Sequence, residues 1–229
     1  MMNVMSRYGA GARVHKLLMA LICAGCFATP PAAADEVNLL ALGDSLTQGY
    51  GLVEGDGFVP QLHDWLRERG HDVRIVNGGV SGDTTAGGLS RADWSLTPDI
   101  DGMILTLGGN DLLRGLDPSV TQRNLNGILS VAEAKGVEVL LVGLRAPGNY
   151  GPAYKAAFDA IYPDIAKARA VPLYPDFFAG ILPEGGTPSD AKDLMQQDGI
   201  HPNAAGVALI VEAIGPTIEQ LIARIESGG

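Results

Sequence analysis

From residue 37 to the C-terminus, short apolar runs alternate with longer amphipathic stretches. Residues 37–42, 73–76, 102–107 and 137–143 predict strands, and residues 171–174 predict a fifth, weaker one. These runs are rich in Val, Ile and Leu and lack strict apolar–polar alternation, which suits a parallel sheet covered on both faces. The stretches between them carry helical periodicity. In "LDPSVTQRNLNGILSVAEAKG", Asp117 reads as the N-cap, Pro118 as the first-turn residue and Gly136 as the stop. Leu125, Ile128, Leu129 and Ala132 then share one face. A last helix starts near Asn203, and Pro216 should kink or restart it. Trp65 and Trp94 fall in helical patterns with apolar neighbours and read as packing residues. Strand–helix repetition of this kind predicts a three-layer α/β/α domain.

The first 34 residues follow a different pattern. Arg7, Arg13 and Lys16 precede the apolar run "LLMALICAGCFA", followed by prolines and "AAADE". A basic start, a short apolar segment and small residues ahead of a cut describe a secretory signal peptide. At about a dozen residues the run is too short to span a bilayer as a helix. Cleavage is placed after Ala34, which leaves residues 35–229 as a single domain in the periplasm or outside the cell. Lipoprotein processing at Cys26 is the rival, although "CAG" lacks the usual aliphatic residue. No further membrane-spanning stretch, repeat or low-complexity tract is read in the sequence.

Both cysteines, Cys23 and Cys26, lie in the removed segment, so the mature chain has no disulfide, thiol nucleophile or cysteine metal site. Losing Arg7, Arg13 and Lys16 from 16 basic residues leaves 13 against 26 acidic ones, a formal charge of −13. That balance argues against nucleic acid and anionic membranes as main partners. No stable membrane insertion is expected after cleavage.

In an open parallel sheet, ligands bind beyond the carboxyl ends of the strands. Four polar, glycine-rich segments fall there: "GDSLTQG", "GGVSGDTTAGG", "GGNDLLRG" and "QQDGIHPN". A serine in such a turn is more often a helix cap than a nucleophile, so Ser45 needs corroboration. The last segment supplies it. Asp198 lies three residues before His201, close enough for its carboxylate to reach Nδ1 and leave Nε2 free to take a proton. His201 is the only histidine in the four segments; His63 and His71 lie in or beside the first helix. Gly82, the Ser45 amide and the Asn110 side chain are candidate donors to an oxyanion. Asp44, Asp83 and Asp111 read as structural hydrogen-bonding partners, and Arg145, Asn149 and Tyr150 as residues of a substrate entrance. The serine does not sit in G-x-S-x-G, so the elbow of an α/β-hydrolase is absent.

These four segments resemble, in order, the four blocks of the SGNH (GDSL-type) hydrolases. The resemblance spans essentially the whole mature chain. It is nearest to the periplasmic arylesterases and the multifunctional acyl-CoA thioesterase–lysophospholipase enzymes, through "LRAPGNYGPAYKAAFDAIYPDIAKARAVPLYPDFF". It implies a flavodoxin-like sheet of five parallel strands. It further implies Ser45 as nucleophile, His201 as general base, Asp198 as its orienter, and Ser45, Gly82 and Asn110 as the oxyanion hole. No cofactor or metal is implied, and the expected partner is a small-molecule or lipid ester. The stretch "AGILPEGGTPSDAKDLM" departs from the pattern and bears on the acyl-binding rim. Two other functions remain open: a metal-dependent phosphoesterase, which wants several histidines where only His201 is at hand, and a non-catalytic acyl- or lipid-binding envelope protein, which needs no histidine–aspartate pair. A dinucleotide-binding domain is weaker, because "GGVSGDTTAGG" is not G-x-G-x-x-G and follows the second strand.

Overall fold

A computed structural model describes residues 36–183, 186 and 188–228, with only the backbone of residues 188 and 189. The proposed signal peptide and the lipoprotein alternative at Cys26 lie outside the described residues. Five strands form one sheet: β1 (Val37–Gly43), β2 (Val73–Gly79), β3 (Gly102–Thr106), β4 (Glu138–Val142) and β5 (Leu173–Tyr174). Their order is β2-β1-β3-β4-β5, and every pair is parallel. β3 is the central strand, and all five of its residues are buried, as an apolar run covered on both faces requires.

The helices are α1 (Ser45–Gln48), α2 (Phe58–Glu68), α3 (Thr85–Ser95), α4 (Gly109–Leu113), α5 (Pro118–Ala134), α6 (Pro152–Asp159), α7 (Ile161–Arg169) and α8 (Ala204–Glu226). α2 and α8 pack together on one face of the sheet, while α3, α5 and α7 cover the other. The three-layer expectation therefore holds, with the five-strand parallel sheet that the resemblance implied.

Local chemistry explains the element ends. Asp117 caps α5 by accepting the Ser119 N–H at 2.8 Å, and Pro118 occupies the first turn. Leu125, Ile128, Leu129 and Ala132 are buried as one stripe, and Gly136 takes the left-handed conformation just past the end, at φ +70°. Asn203 caps α8 by accepting from Gly206 N–H at 3.0 Å. α8 is long and apolar enough to cross a membrane, but half of its most apolar stretch is buried. Packing against α2 and the sheet accounts for that hydropathy.

Two expectations are corrected, and one is narrowed. β2 runs on to Gly79, because Asn77, Gly78 and Gly79 pair with Ala41, Leu42 and Gly43 in parallel register. A Cβ on Gly79 would lie 2.2 Å from Gln48 N, so the glycine lets the backbone of α1 (Ser45–Gln48) approach the strand end closely. Of the two outcomes expected at Pro216, a kink or a restart, the restart does not occur: α8 continues through it as one helix. One lost donor is tolerated there because Ile214, Ile218, Leu221 and Ile222 stay buried on either side. Trp94 is not a packing residue: it is 69% exposed on α3, whose buried side instead carries Thr85, Gly88, Arg91 and Ala92. Trp65 is buried as expected and donates its indole N–H to Glu212 at 2.6 Å.

Candidate active site

The carboxyl end of β1 turns abruptly into α1, and Gly43 permits it. A Cβ there would come within 1.9 Å of Thr47 Oγ1 and 2.9 Å of the Thr106 carbonyl. Asp44 caps α1, accepting Leu46 N–H at 3.1 Å, and Ser45 becomes the first residue of the helix. The strand thus delivers the Ser45 hydroxyl to the rim of the sheet on a four-residue helix.

The partner arrives from the other end of the chain. Residues 196–201 fold back on themselves through Gln196 N–H to the His201 carbonyl at 2.8 Å, with a bridge between Met195 and Pro202 just outside. Gly199 supplies the left-handed step, at φ +66°. Within this turn Asp198 Oδ1 accepts Ile200 N–H at 2.9 Å and His201 N–H at 3.0 Å, and Oδ2 lies 2.6 Å from His201 Nδ1. His201 Nε2 lies 2.8 Å from Ser45 Oγ. The two bonds join residues 156 apart in sequence into one hydroxyl–imidazole–carboxylate chain. Burial raises the Asp198 carboxyl, but the His201 side chain and the two amides hold it below the usual carboxylate value. It therefore stays ionised near neutral pH.

Asn110 and Gly82 come from the loops after β3 and β2. Asn110 stands in the first turn of α4, and its Nδ2 donates to Asp44 Oδ2 at 3.4 Å. Gly82 takes φ +85°. No hydrogen bond among the described residues joins it to Ser45; its loop is instead tied to its neighbours on both sides. Ser81 N–H donates to Gln48 Oε1 at 3.1 Å, and Arg114 Nη2 donates to the Gly82 carbonyl at 2.8 Å.

The three aspartates expected to be structural all hold such ties. Asp111, fully buried, accepts from Thr85 N–H at 2.8 Å, Thr85 Oγ1 at 2.6 Å and Thr121 Oγ1 at 3.2 Å, fastening α4 to α3 and α5. Asp83 receives Arg91 Nε at 2.7 Å, while Arg91 Nη2 donates to the Gly43 carbonyl at 2.7 Å. Asp44 is 2% exposed, and burial pushes its carboxyl up to about 6 against the pull of Leu46 N–H, His201 and Asn110.

Of the three residues expected at the entrance, Tyr150 donates its hydroxyl to the Leu113 carbonyl at 3.0 Å, bridging two rim loops. Asn149 is exposed. Arg145 turns instead to Asp176 at 3.6 Å, drawn by a carboxylate that is mostly buried. Sequence reasoning missed Tyr50, whose ring lies 4.8 Å from the His201 ring at a 40° tilt, and Gln196, whose Nε2 donates to the Tyr50 carbonyl at 2.8 Å. Gln196 and Gln48 both lie inside the glycine-rich segments, so their place in those blocks was the available signal. Nothing in the sequence marked Arg91, which reaches back to the strand end from the middle of a helix.

Among the described residues no group of three or more His, Cys, Asp or Glu is arranged to hold a metal ion. A parallel α/β sheet with a serine hydroxyl, an imidazole and a carboxylate in hydrogen-bonded series at its carboxyl edge has the parts that acyl transfer requires. The profile of the GDSL-like lipase/acylhydrolase family matches residues 41–209, and the chain belongs to that family. It is 39% identical over 210 residues to Esterase TesA of Pseudomonas aeruginosa, covering 90% of this chain and 100% of the relative. It is 38% identical over 192 residues to Thioesterase 1/protease 1/lysophospholipase L1 of Escherichia coli K12, covering 83% of this chain and 86% of the relative. Among solved structures, the psychrotrophic esterase EstA of Pseudoalteromonas sp., inhibited by monoethylphosphonate, superposes with a TM-score of 0.75 at 30% identity. That match covers 82% of this chain and 100% of EstA. The protein is a carboxylic ester hydrolase.

Proposed function

We propose that the protein is an exported serine esterase that hydrolyses carboxylic esters through an acyl-enzyme. The single observation that carries this reading is the series Ser45 Oγ to His201 Nε2 at 2.8 Å and His201 Nδ1 to Asp198 Oδ2 at 2.6 Å. A serine hydroxyl is a weak nucleophile until a base takes its proton. His201 removes that proton as Oγ attacks the ester carbonyl, and Asp198 fixes the tautomer and stabilises the imidazolium. The oxyanion rests on the Ser45 and Gly82 amides and on Asn110 Nδ2. Asn110 donates weakly to Asp44 at rest, and its second N–H is available to the substrate. The alcohol leaves with the proton from His201. Water then attacks the acyl-enzyme by the same route in reverse, with no metal or organic cofactor in any step.

The substrates proposed are aryl and short- to medium-chain esters, together with lysophospholipids and acyl thioesters, whose carbonyls meet the same machinery. Residues 1–34 are proposed as a signal peptide cleaved after Ala34, which places the mature domain in the periplasm or outside the cell. The test is hydrolysis of p-nitrophenyl esters from acetate to palmitate by wild type and Ser45→Ala, with and without EDTA. Turnover that falls to background in the variant, ignores EDTA and is titrated away by one equivalent of a serine-directed phosphonate fits the proposal. Turnover that survives Ser45→Ala, or that EDTA abolishes, overturns it.

A further inference from the structure

Eight large apolar side chains stand exposed among the described residues, and they are not scattered evenly. Tyr50 and Val53 follow β1, Val80 follows β2, Leu113 follows β3, Tyr150 follows β4, and Ile200 lies on the turn between β5 and α8. Each connection leaving the carboxyl edge of the sheet contributes at least one; only Trp94 and Leu209 lie elsewhere. Val53 is 71% exposed, Leu113 54% and Tyr50 52%. Contacts between the loops bring most of them around one opening. Tyr50 lies against the His201 ring, Ile200 is the next residue to His201, Tyr150 bonds to the Leu113 carbonyl, and Arg114 ties that loop to Gly82, two residues from Val80.

A ring of apolar tips with amphipathic tyrosines around the mouth of a site is what an interaction surface looks like. The occupant must be something through which the substrate reaches Ser45. A single ester molecule can cover only part of a ring assembled from five separate loops. The surface of a lipid aggregate covers all of it at once, each side chain entering the headgroup boundary. Charge then selects the lipid. Glu54 and Asp56 follow Val53, and Asp117 lies four residues beyond Leu113. Of the cations on the same connections, Arg114 is turned to the Gly82 carbonyl, Arg145 to Asp176 and Lys155, on α6, to Asp159, while Lys192 is exposed between β5 and α8, where Asp193 and Asp198 offset it. An acidic, cation-poor rim is repelled by anionic lipid and complements the outward ammonium group of a choline headgroup.

We propose that this rim docks the enzyme on zwitterionic lipid surfaces, with Ser45 facing the surface from which ester substrate is drawn. The proposal rests on the ester-hydrolase reading for its purpose, but its test does not depend on turnover. Vesicles of non-hydrolysable dialkyl phosphatidylcholine, and the same vesicles with an added anionic dialkyl lipid, are mixed with the mature chain and floated. Hydrolysis of p-nitrophenyl acetate, a small monomeric ester, is followed separately. Wild type should co-float with the choline vesicles and bind the anionic ones at least tenfold more weakly. Val53→Asp with Leu113→Asp should lower partitioning onto choline vesicles at least tenfold while leaving acetate turnover within twofold. Glu54→Lys with Asp56→Lys should shift the preference toward the anionic vesicles.

Wild type that stays out of the lipid fraction overturns the proposal, as does equal partitioning by the double aspartate variant or a wild-type preference for anionic lipid. Vesicle binding without acetate turnover would keep the docking surface and remove the hydrolase mechanism. Turnover of long esters without vesicle binding would mean the rim serves single substrate molecules, and docking would be wrong.

Discussion

Asp198→Asn separates what the carboxylate does for the turn from what it does for His201. Oδ1 accepts the Ile200 and His201 amides at 2.9 and 3.0 Å, and an asparagine carbonyl accepts them equally well. The turn should therefore survive, and the melting temperature should fall by no more than a few degrees. The other position of the amide then places an NH2 group 2.6 Å from Nδ1, where the carboxylate had accepted a hydrogen bond. To avoid two donors facing each other, His201 must carry its proton on Nε2. That nitrogen can no longer accept the Ser45 proton.

Two losses add together. One is the tautomer; the other is the negative charge beside the imidazolium of the transition state. At a charge separation of about 4 Å and an effective dielectric of about 20, that attraction is about 4 kcal/mol. Solvent reduces it, because the Asp198 side chain is 35% exposed. With the wrong tautomer included, kcat should fall about 10⁴-fold, about 5.5 kcal/mol of barrier, as in other triads with this substitution. The assay is steady-state p-nitrophenyl butyrate hydrolysis, beside a thermal melt of the same preparation. A fall in kcat of less than tenfold with an unchanged melt would refute the orienting role. A collapse of the melt would refute the claim that an asparagine carbonyl serves the turn as well as Oδ1 does.

Asn110→Ala removes one proposed oxyanion donor and should lower kcat about 10²–10³-fold with KM within a few-fold, measured on the same ester; a change confined to KM would place Asn110 in ground-state binding instead. Asp44 has its pKa raised by burial from 3.8 to about 6, so the folded state binds this proton more tightly than the unfolded chain does. Stability from this group is full below pH 3.8 and is lost as pH rises through about 6, about 3 kcal/mol in all. Denaturant melts at pH 4 and pH 8 should therefore differ by about that much more in wild type than in Asp44→Asn, and equal differences would sink the argument. Gly79→Ala forces a Cβ to within 2.2 Å of Gln48 N and 2.6 Å of its Cα, backbone that cannot step aside. It should cost about 1–3 kcal/mol or more by denaturant melt and lower activity through the shift of α1, and a variant as stable as wild type would show that the approach is not tight.

Residues whose role is set by their own neighbours were legible in advance. Asp117, Pro118 and Gly136 announce α5 because capping and positive φ are local demands, and the Leu125–Ala132 stripe follows from a 3.6-residue period. The Asp198–His201 pair was legible for the same reason, since a three-residue offset closes within one turn. Ser45 became legible only in company, because its hydroxyl meets an imidazole 156 residues away. What stayed hidden depends on contact between distant segments. Residues 77–79 lie beyond the predicted strand end and are strand, because pairing with β1 outweighs local preference. Trp94 reads as core and faces outward, because which side of α3 meets the sheet is decided by Gly88 and Arg91. Gly88 admits Leu107 where its Cβ would lie 2.2 Å away, and Arg91 must reach the Gly43 carbonyl.

The same long-range contacts account for how a serine on a four-residue helix can be held still. α1 is too short to be stable on its own, since a helix nucleus fixes several residues for a single hydrogen bond. Its end is therefore fastened from outside, by Asn77 Nδ2 on the Gln48 carbonyl at 3.3 Å and by Ser81 on the Gln48 side chain. Its start is fastened by Asp44, whose burial raises its pKa and so costs stability at neutral pH. A neutral capping residue would avoid that cost. Asp44, however, also holds Asn110 through Oδ2, so one buried carboxyl spans α1, which carries the proposed nucleophile, and α4, which carries the proposed oxyanion donor. Registration between those two helices is what an oxyanion site needs, because the donors must already be in place when charge develops. The fold accepts a local penalty at Asp44 in exchange for that rigidity, as strained or buried polar groups at active sites commonly do.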